Sequence, residues 1–106
     1  MFTRVVRMRL KPNSTTQFSQ TMEKKVLPIL RSQKGFRDEI TLIATGGTEV
    51  IGVSFWESRD QAEMYNNSKY PEVMKELANV TEGTPRVETF DVVNSTVHKI
   101  AAAPAA

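Results

Sequence analysis

The stretch FRDEITLIATGGTEVIGVSFWE, residues 36–57, constrains the fold more than any other part of the chain. Two runs rich in β-branched and aromatic residues flank Gly46-Gly47, a dipeptide that tolerates the positive backbone angles of a tight turn. The pattern predicts an antiparallel hairpin with Leu42 opposite Ile51, Ile40 opposite Val53 and Glu39 opposite Ser54. Side chains alternate along a strand, so one face of this hairpin carries Ile40, Leu42, Ile51, Val53 and Phe55, and the other Glu39, Thr41, Ile43, Val50, Ser54 and Trp56. Gly52, in mid-strand, points to a bulge or to the close approach of another group.

Around the hairpin the remaining elements are legible. FTRVVRMRL reads as a strand with Val6, Met8 and Leu10 on one face and Val5, Arg7 and Arg9 on the other. After Pro12, Asn13 or Ser14 caps a helix whose apolar stripe is Phe18, Met22, Val26, Ile29 and Leu30; Pro28 should kink it and Gly35 marks its end. Ser58 and Gln61 form a capping box for a second helix, which breaks near NNSKYP and restarts at Ser68 or Tyr70 with Pro71 in its first turn. EGTP reads as a loop and RVETFDVVNSTVHKI as a long last strand.

The order strand, helix, strand, strand, helix, strand predicts an α+β, ferredoxin-like βαββαβ domain: a four-stranded antiparallel sheet with both helices on one face. The more apolar side should meet the helices, with Val6, Met8, Leu10, Ile40, Leu42, Ile51, Val53, Phe55, Phe90 and Val92. The other side mixes Val5, Ile43, Val50 and Trp56 with charged residues, which suits burial against a second copy, sheet to sheet.

At 106 residues one core is expected, with a single domain over 1–98 and a flexible Ala/Pro tail over 99–106. A net charge of +2 supplies no nucleic-acid footprint. The absence of cysteine excludes disulfides and thiolate sites, and the one histidine, His98, reads as a surface residue that cannot form a multi-histidine metal site. Arginines interrupt the N-terminal apolar residues and no membrane-spanning run occurs, so a cytoplasmic location is expected.

The segments VLPILRSQKGFRDEITLIATGG, GVSFWESRDQAEMYNNSKYPEV and TPRVETFDVV together resemble the antibiotic biosynthesis monooxygenase family. The resemblance rests on the LP helix, the Gly35-Phe36 approach to the second strand and the FWES strand end before a capped helix. It implies a homodimeric α/β barrel with a ligand cavity between sheet and helices in each subunit. It further implies a monooxygenase without metal or bound cofactor, acting on a small, electron-rich hydrophobic substrate of aromatic or quinol-like kind. A non-catalytic dimeric module binding a small ligand is the alternative within the same fold.

Cofactor-free oxygenation needs an acidic substrate, an apolar chamber and hydrogen-bond donors for the developing anion. Met8, Phe18, Met22, Phe55 and Tyr65 are the candidate lining residues, although methionines and aromatics at this spacing equally fill an ordinary core. Tyr65, Trp56 and Asn66 are the candidates for a chemical role; a strand-end tryptophan also seals cores or interfaces, and Asn66 also suits a turn. In this register Phe55 points under the helices and Trp56 the other way, toward the partner sheet or the strand end. The haem-degrading branch of the family places its functional residues where this chain has Val6, Tyr65 and Lys75, a poor set for iron. RNA recognition domains share the element order, but here the first stacking position is Val53 and no basic residue precedes Gly52.

Overall fold

The computed structural model describes residues 1–100, so most of the expected tail lies outside the described residues. Strands β1 (Phe2–Leu10), β2 (Phe36–Ile43), β3 (Glu49–Trp56) and β4 (Thr81–Asp91) form one antiparallel sheet in the order β2-β3-β1-β4. Helices α1 (Thr15–Thr21) and α2 (Leu27–Arg31) lie between β1 and β2, and α3 (Arg59–Ser68) and α4 (Tyr70–Leu77) between β3 and β4. This is the ferredoxin-like topology that the element order predicts. No helix among the described residues is long and apolar enough to cross a membrane.

Local chemistry accounts for most of the boundaries. Pro28 lacks an N–H for the carbonyl of Lys24, and the first helical segment absorbs this with a π-helical turn over Met22–Val26, immediately before α2. The stripe survives: Phe18, Met22, Val26 and Leu30 are buried. Ser58 accepts the backbone N–H of Gln61 at 3.3 Å and so starts α3, and Pro71 lies in the first turn of α4. Gly35 has φ +83°, and a Cβ there would overlap the Gln61 side chain, which ties the approach to β2 to the start of α3.

The hairpin register is as expected, with Leu42 against Ile51, Ile40 against Val53 and Glu39 against Ser54. The faces of β2, β3 and β4 are reversed. On β1 the helix-facing side is Val6, Met8 and Leu10 as read, but Met8 pairs with Val50, Val6 with Gly52, Arg4 with Ser54 and Phe2 with Trp56. Directly opposed residues share a face. The helices therefore cover Val50, Ser54 and Trp56, with Glu39, Thr41 and Ile43 beside them, while Ile40, Leu42, Ile51, Val53, Phe55 and Phe90 lie on the open side.

The last strand also differs from expectation. It begins at Thr81 and takes in EGTP, then stops at Asp91. Arg7 pairs with Arg86 and Arg9 with Glu82, so four positions of β4 span two of β1, and Gly83 at φ +74° sits within this bulge. Beyond β4, Val92 N–H bonds the Met1 carbonyl. His98 is not a free surface residue: it lies against the Phe55 ring, centroids 5.5 Å apart, and pairs with Asp38.

Candidate functional site

Residues facing the helices fall into rows across the sheet, and one row is polar. Phe2, Trp56 and Phe36 make an aromatic row at one end; Val6, Gly52 and Thr41, then Met8, Val50 and Ile43, run toward the other. Between them stand Thr89, Arg4, Ser54 and Glu39, abreast on four neighbouring strands. Placing an arginine and a glutamate beneath helices is costly unless something is gained by it.

Arg4 is 3% exposed. Its Nη2 donates to Asn66 Oδ1 at 2.8 Å, and its guanidinium carbon lies 4.6 Å from the ring centre of Tyr70 and 5.1 Å from that of Tyr65. These rings and one amide oxygen hold the cation where a carboxylate would be usual. Burial lowers the Arg4 pKa from its ordinary value, and the neighbouring Tyr65 and Tyr70 oppose the shift.

Tyr65 stacks on Trp56 with ring centroids 5.0 Å apart, and Phe36 meets Trp56 edge-on at 5.6 Å. The indole N–H donates to Ser54 Oγ at 2.9 Å, so the fully buried Trp56 is satisfied within its own strand. Burial pushes the Tyr65 hydroxyl up to about 12 and raises that of Tyr70 for the same reason. Both are hydrogen-bond donors at neutral pH.

Glu39 accepts the Thr41 hydroxyl at 2.8–2.9 Å through its two carboxylate oxygens. Burial raises its pKa, and the Thr41 bond offsets part of that. Gly52 is regularly paired, without a bulge, and a Cβ on it would come 3.6 Å from Glu39 Oε2. That distance is ordinary contact, so neither a bulge nor a close approach that only glycine permits is found there.

These groups converge on a cavity of about 50 Å³ between sheet and helices. Val6, Met8, Met22, Val26, Leu30, Val73, Met74 and Leu77 form its apolar wall, and Arg4, Glu39, Ser54, Tyr65 and Tyr70 its polar side. Apolar walls with a few convergent polar groups are the signature of a small-molecule site. A wider depression of about 810 Å³ lies beside the β4 bulge, lined by charges of both signs including Arg7, Arg86, Glu49 and Glu88. Arg7 pairs with Glu88 at 3.0 Å and with Glu49 at 3.8 Å, so this surface neutralises itself.

Of the expected lining residues, Met8, Met22 and Tyr65 reach the cavity. Phe18 is buried but borders a separate cleft with Ser19, Thr41 and Ile43, and Phe55 is on the opposite side of the sheet. Trp56 points under the helices rather than toward a partner sheet, where it backs Tyr65. Asn66 is neither a turn device nor a cavity wall; it positions Arg4. Arg4, Glu39 and Tyr70 were not anticipated. Arg4 had a signal, since it falls in phase with Val6, Met8 and Leu10 on the apolar side of β1.

Comparison with known proteins places this geometry in context. The family model for antibiotic biosynthesis monooxygenase matches residues 1–86. The chain is similar in structure to a monooxygenase from the gene ActVA-Orf6 of Streptomyces coelicolor in complex with Nanaomycin D, at 18% identity and TM-score 0.75, covering 92% of each chain. It is also similar to SnoaB, a cofactor-independent oxygenase from Streptomyces nogalater, at 13% identity and TM-score 0.73, covering 92% of this chain and 97% of that one. A third neighbour, the Nitrosomonas europaea protein of unknown function NE2512, shares 14% identity at TM-score 0.74 over 96% of this chain and 95% of that one. At such identities the likeness concerns the fold, and no curated protein matches the chain. With the family model spanning most of the sequence, the chain belongs to the antibiotic biosynthesis monooxygenase family.

Proposed function

We propose that the chain is a cofactor-independent monooxygenase acting on a small, electron-rich aromatic of phenolic or quinol-like kind, bound between the sheet and the helices. The observation that carries this reading is the cavity itself, walled by apolar side chains of the sheet and the helices and edged by Arg4, Ser54, Glu39, Tyr65 and Tyr70. An acidic methylene flanked by an aromatic carbonyl reacts with O2 to give the carbonyl and one water, which balances without any added reductant. The protein's part is to remove a proton, hold the anion and exclude bulk water. The similar Streptomyces proteins, one an oxygenase without cofactor and one with a bound ligand, support this reading.

The cavity of about 50 Å³ has room for a few waters. Ligand sites start at roughly 300 Å³, so substrate binding requires the wall to move. Met8, Met22 and Met74, unbranched and adaptable, line the part that would give way. A binding module without catalysis, which needs the same movement of the wall, is the second reading within this fold. Oxygen uptake with anthrone and naphthoquinol separates them: the oxygenase consumes one O2 per molecule oxidised, whereas saturable binding with no uptake supports the module.

The same proposal includes a homodimer through the open sheet face. Ile40, Leu42 and Phe90 are each about half exposed there, at 50%, 49% and 50%, and Thr3 Oγ1 is buried with no partner among the described residues. Patches of this kind on monomers are usually covered in solution. A monomer by sedimentation at micromolar concentration would overturn the dimer.

A further inference from the structure

We infer that Arg4 and Glu39 divide a proton abstraction between them: Glu39 accepts the proton of a weakly acidic substrate, and the Arg4 guanidinium holds the oxygen on which the negative charge collects. This rests on the oxygenase reading above and deepens it by assigning the proton acceptor and the anion holder to named residues of this chain. In the step, a substrate C–H or O–H bond breaks, the proton forms an O–H bond on the Glu39 carboxylate, and the electron pair stays on the substrate.

The placement suits both roles. Arg4 and Glu39 flank Ser54 in one row, two strand spacings or about 10 Å apart at the backbone, with the cavity above the strand between them. Neither is in an ion pair among the described residues. A buried cation held, among the described residues, by two tyrosines and an amide has no carboxylate, its strongest kind of partner. Glu39 is the one carboxylate on the cavity wall among the described residues, and the tyrosines there keep their protons at neutral pH. Gly52 leaves the carboxylate uncovered.

Each group also borders the outside. Arg4 lines a cleft of about 280 Å³ with Phe2, Asn66 and Val87, a space next to the cavity on the α3 side. Glu39 lines a cleft with Arg31, Arg37 and Asp38, through which an accepted proton reaches solvent. Facing Glu39 are Thr41 from β2, Ser54 from β3, Arg4 from β1, Tyr65 from α3 and Tyr70 from α4. Burial raises the Glu39 carboxyl above its ordinary value and pushes both tyrosines further from neutrality, so Glu39 governs the pH dependence of the proton step.

The test uses two probes that do not depend on oxygenation. Under nitrogen in deuterated buffer, the protein should accelerate deuterium exchange into the methylene of anthrone, with Glu39→Gln slowing it at least a hundredfold. In wild type the rate should rise with pH through the elevated Glu39 value, and this rise should vanish in Glu39→Gln. Bound 4-nitrophenol should be held in its yellow ionised form, with Arg4→Met weakening binding at least tenfold and restoring the neutral colour. Should Arg4→Met fail to fold, Arg4→Lys replaces it and should slow exchange at least tenfold with unchanged circular dichroism. The inference is overturned if wild type does not exchange anthrone, if Glu39→Gln exchanges within threefold of wild type, or if the Arg4 variants leave exchange and colour unchanged. Exchange without oxygen uptake in air would sink the oxygenase reading and leave this one standing.

Discussion

The two faces of the sheet contradict the simple rule that apolar side chains go inside. The side under the helices carries Arg4, Ser54, Glu39 and Thr41, while the open side carries Ile40, Leu42, Ile51, Val53 and Phe90. Each face is paired with a different kind of partner. The covered face has aromatic and apolar rows at either end of its polar row, enough to anchor the helices, and can give its middle to a polar site. The open face keeps its charges to one end, where Arg7 is tied between Glu49 and Glu88, and its Ile40, Leu42 and Phe90 suit another apolar surface.

Adjacent aromatics on β3 provide the sharpest way to break this comparison. Trp56→Ala removes a fully buried ring stacked on Tyr65 and should cost about 3–5 kcal/mol in denaturant unfolding, whereas Phe55→Ala, on the open face, should cost far less. Equal losses would mean that the faces are not energetically distinct. Leu42→Asp, a charge placed in the open apolar patch, should weaken dimer formation at least a hundredfold by sedimentation while leaving the far-ultraviolet spectrum intact.

Smaller effects probe the covered face. Ser54→Ala leaves the buried indole N–H without an acceptor and should cost about 1–3 kcal/mol. Glu39→Gln should gain stability at neutral pH, and the sign follows from the raised pKa. The folded state favours the protonated acid, so its contribution is present below the ordinary carboxyl value of 4.5 and is lost as pH rises through the higher folded value. Melting temperatures of wild type and Glu39→Gln should therefore converge toward pH 4; a gap that widens on acidification would contradict the burial of this carboxylate. Gly52→Ala meets only ordinary contact, at 3.6 Å from Glu39 Oε2, so folding should change little while anthrone exchange falls.

Much of this chain was legible before any tertiary information. Alternation, the Gly46-Gly47 turn, the Ser58 cap and the Pro71 restart are local signals, set by backbone sterics and hydrogen bonds within a few residues, and they yielded the element order and the hairpin register. Tyr65, Met8 and Met22 line the cavity because helical and strand periodicity place them on inward faces.

Which face of the hairpin met the helices was a different kind of question. Register says that Glu39 opposes Ser54 and Ile40 opposes Val53, and it is satisfied equally by either face turned inward. Apolar count pointed to the Ile40 and Phe55 face, because a second surface able to take those residues is invisible in one chain's pattern. The decision came from β1, whose pairing puts Val50 beside Met8 and Trp56 beside Phe2 and so turns the whole hairpin over. That pairing joins residues some fifty positions apart, and only with it in place do Arg4, Ser54 and Glu39 become neighbours. Local chemistry determined the strands and helices; long-range strand pairing decided which side chains share the cavity.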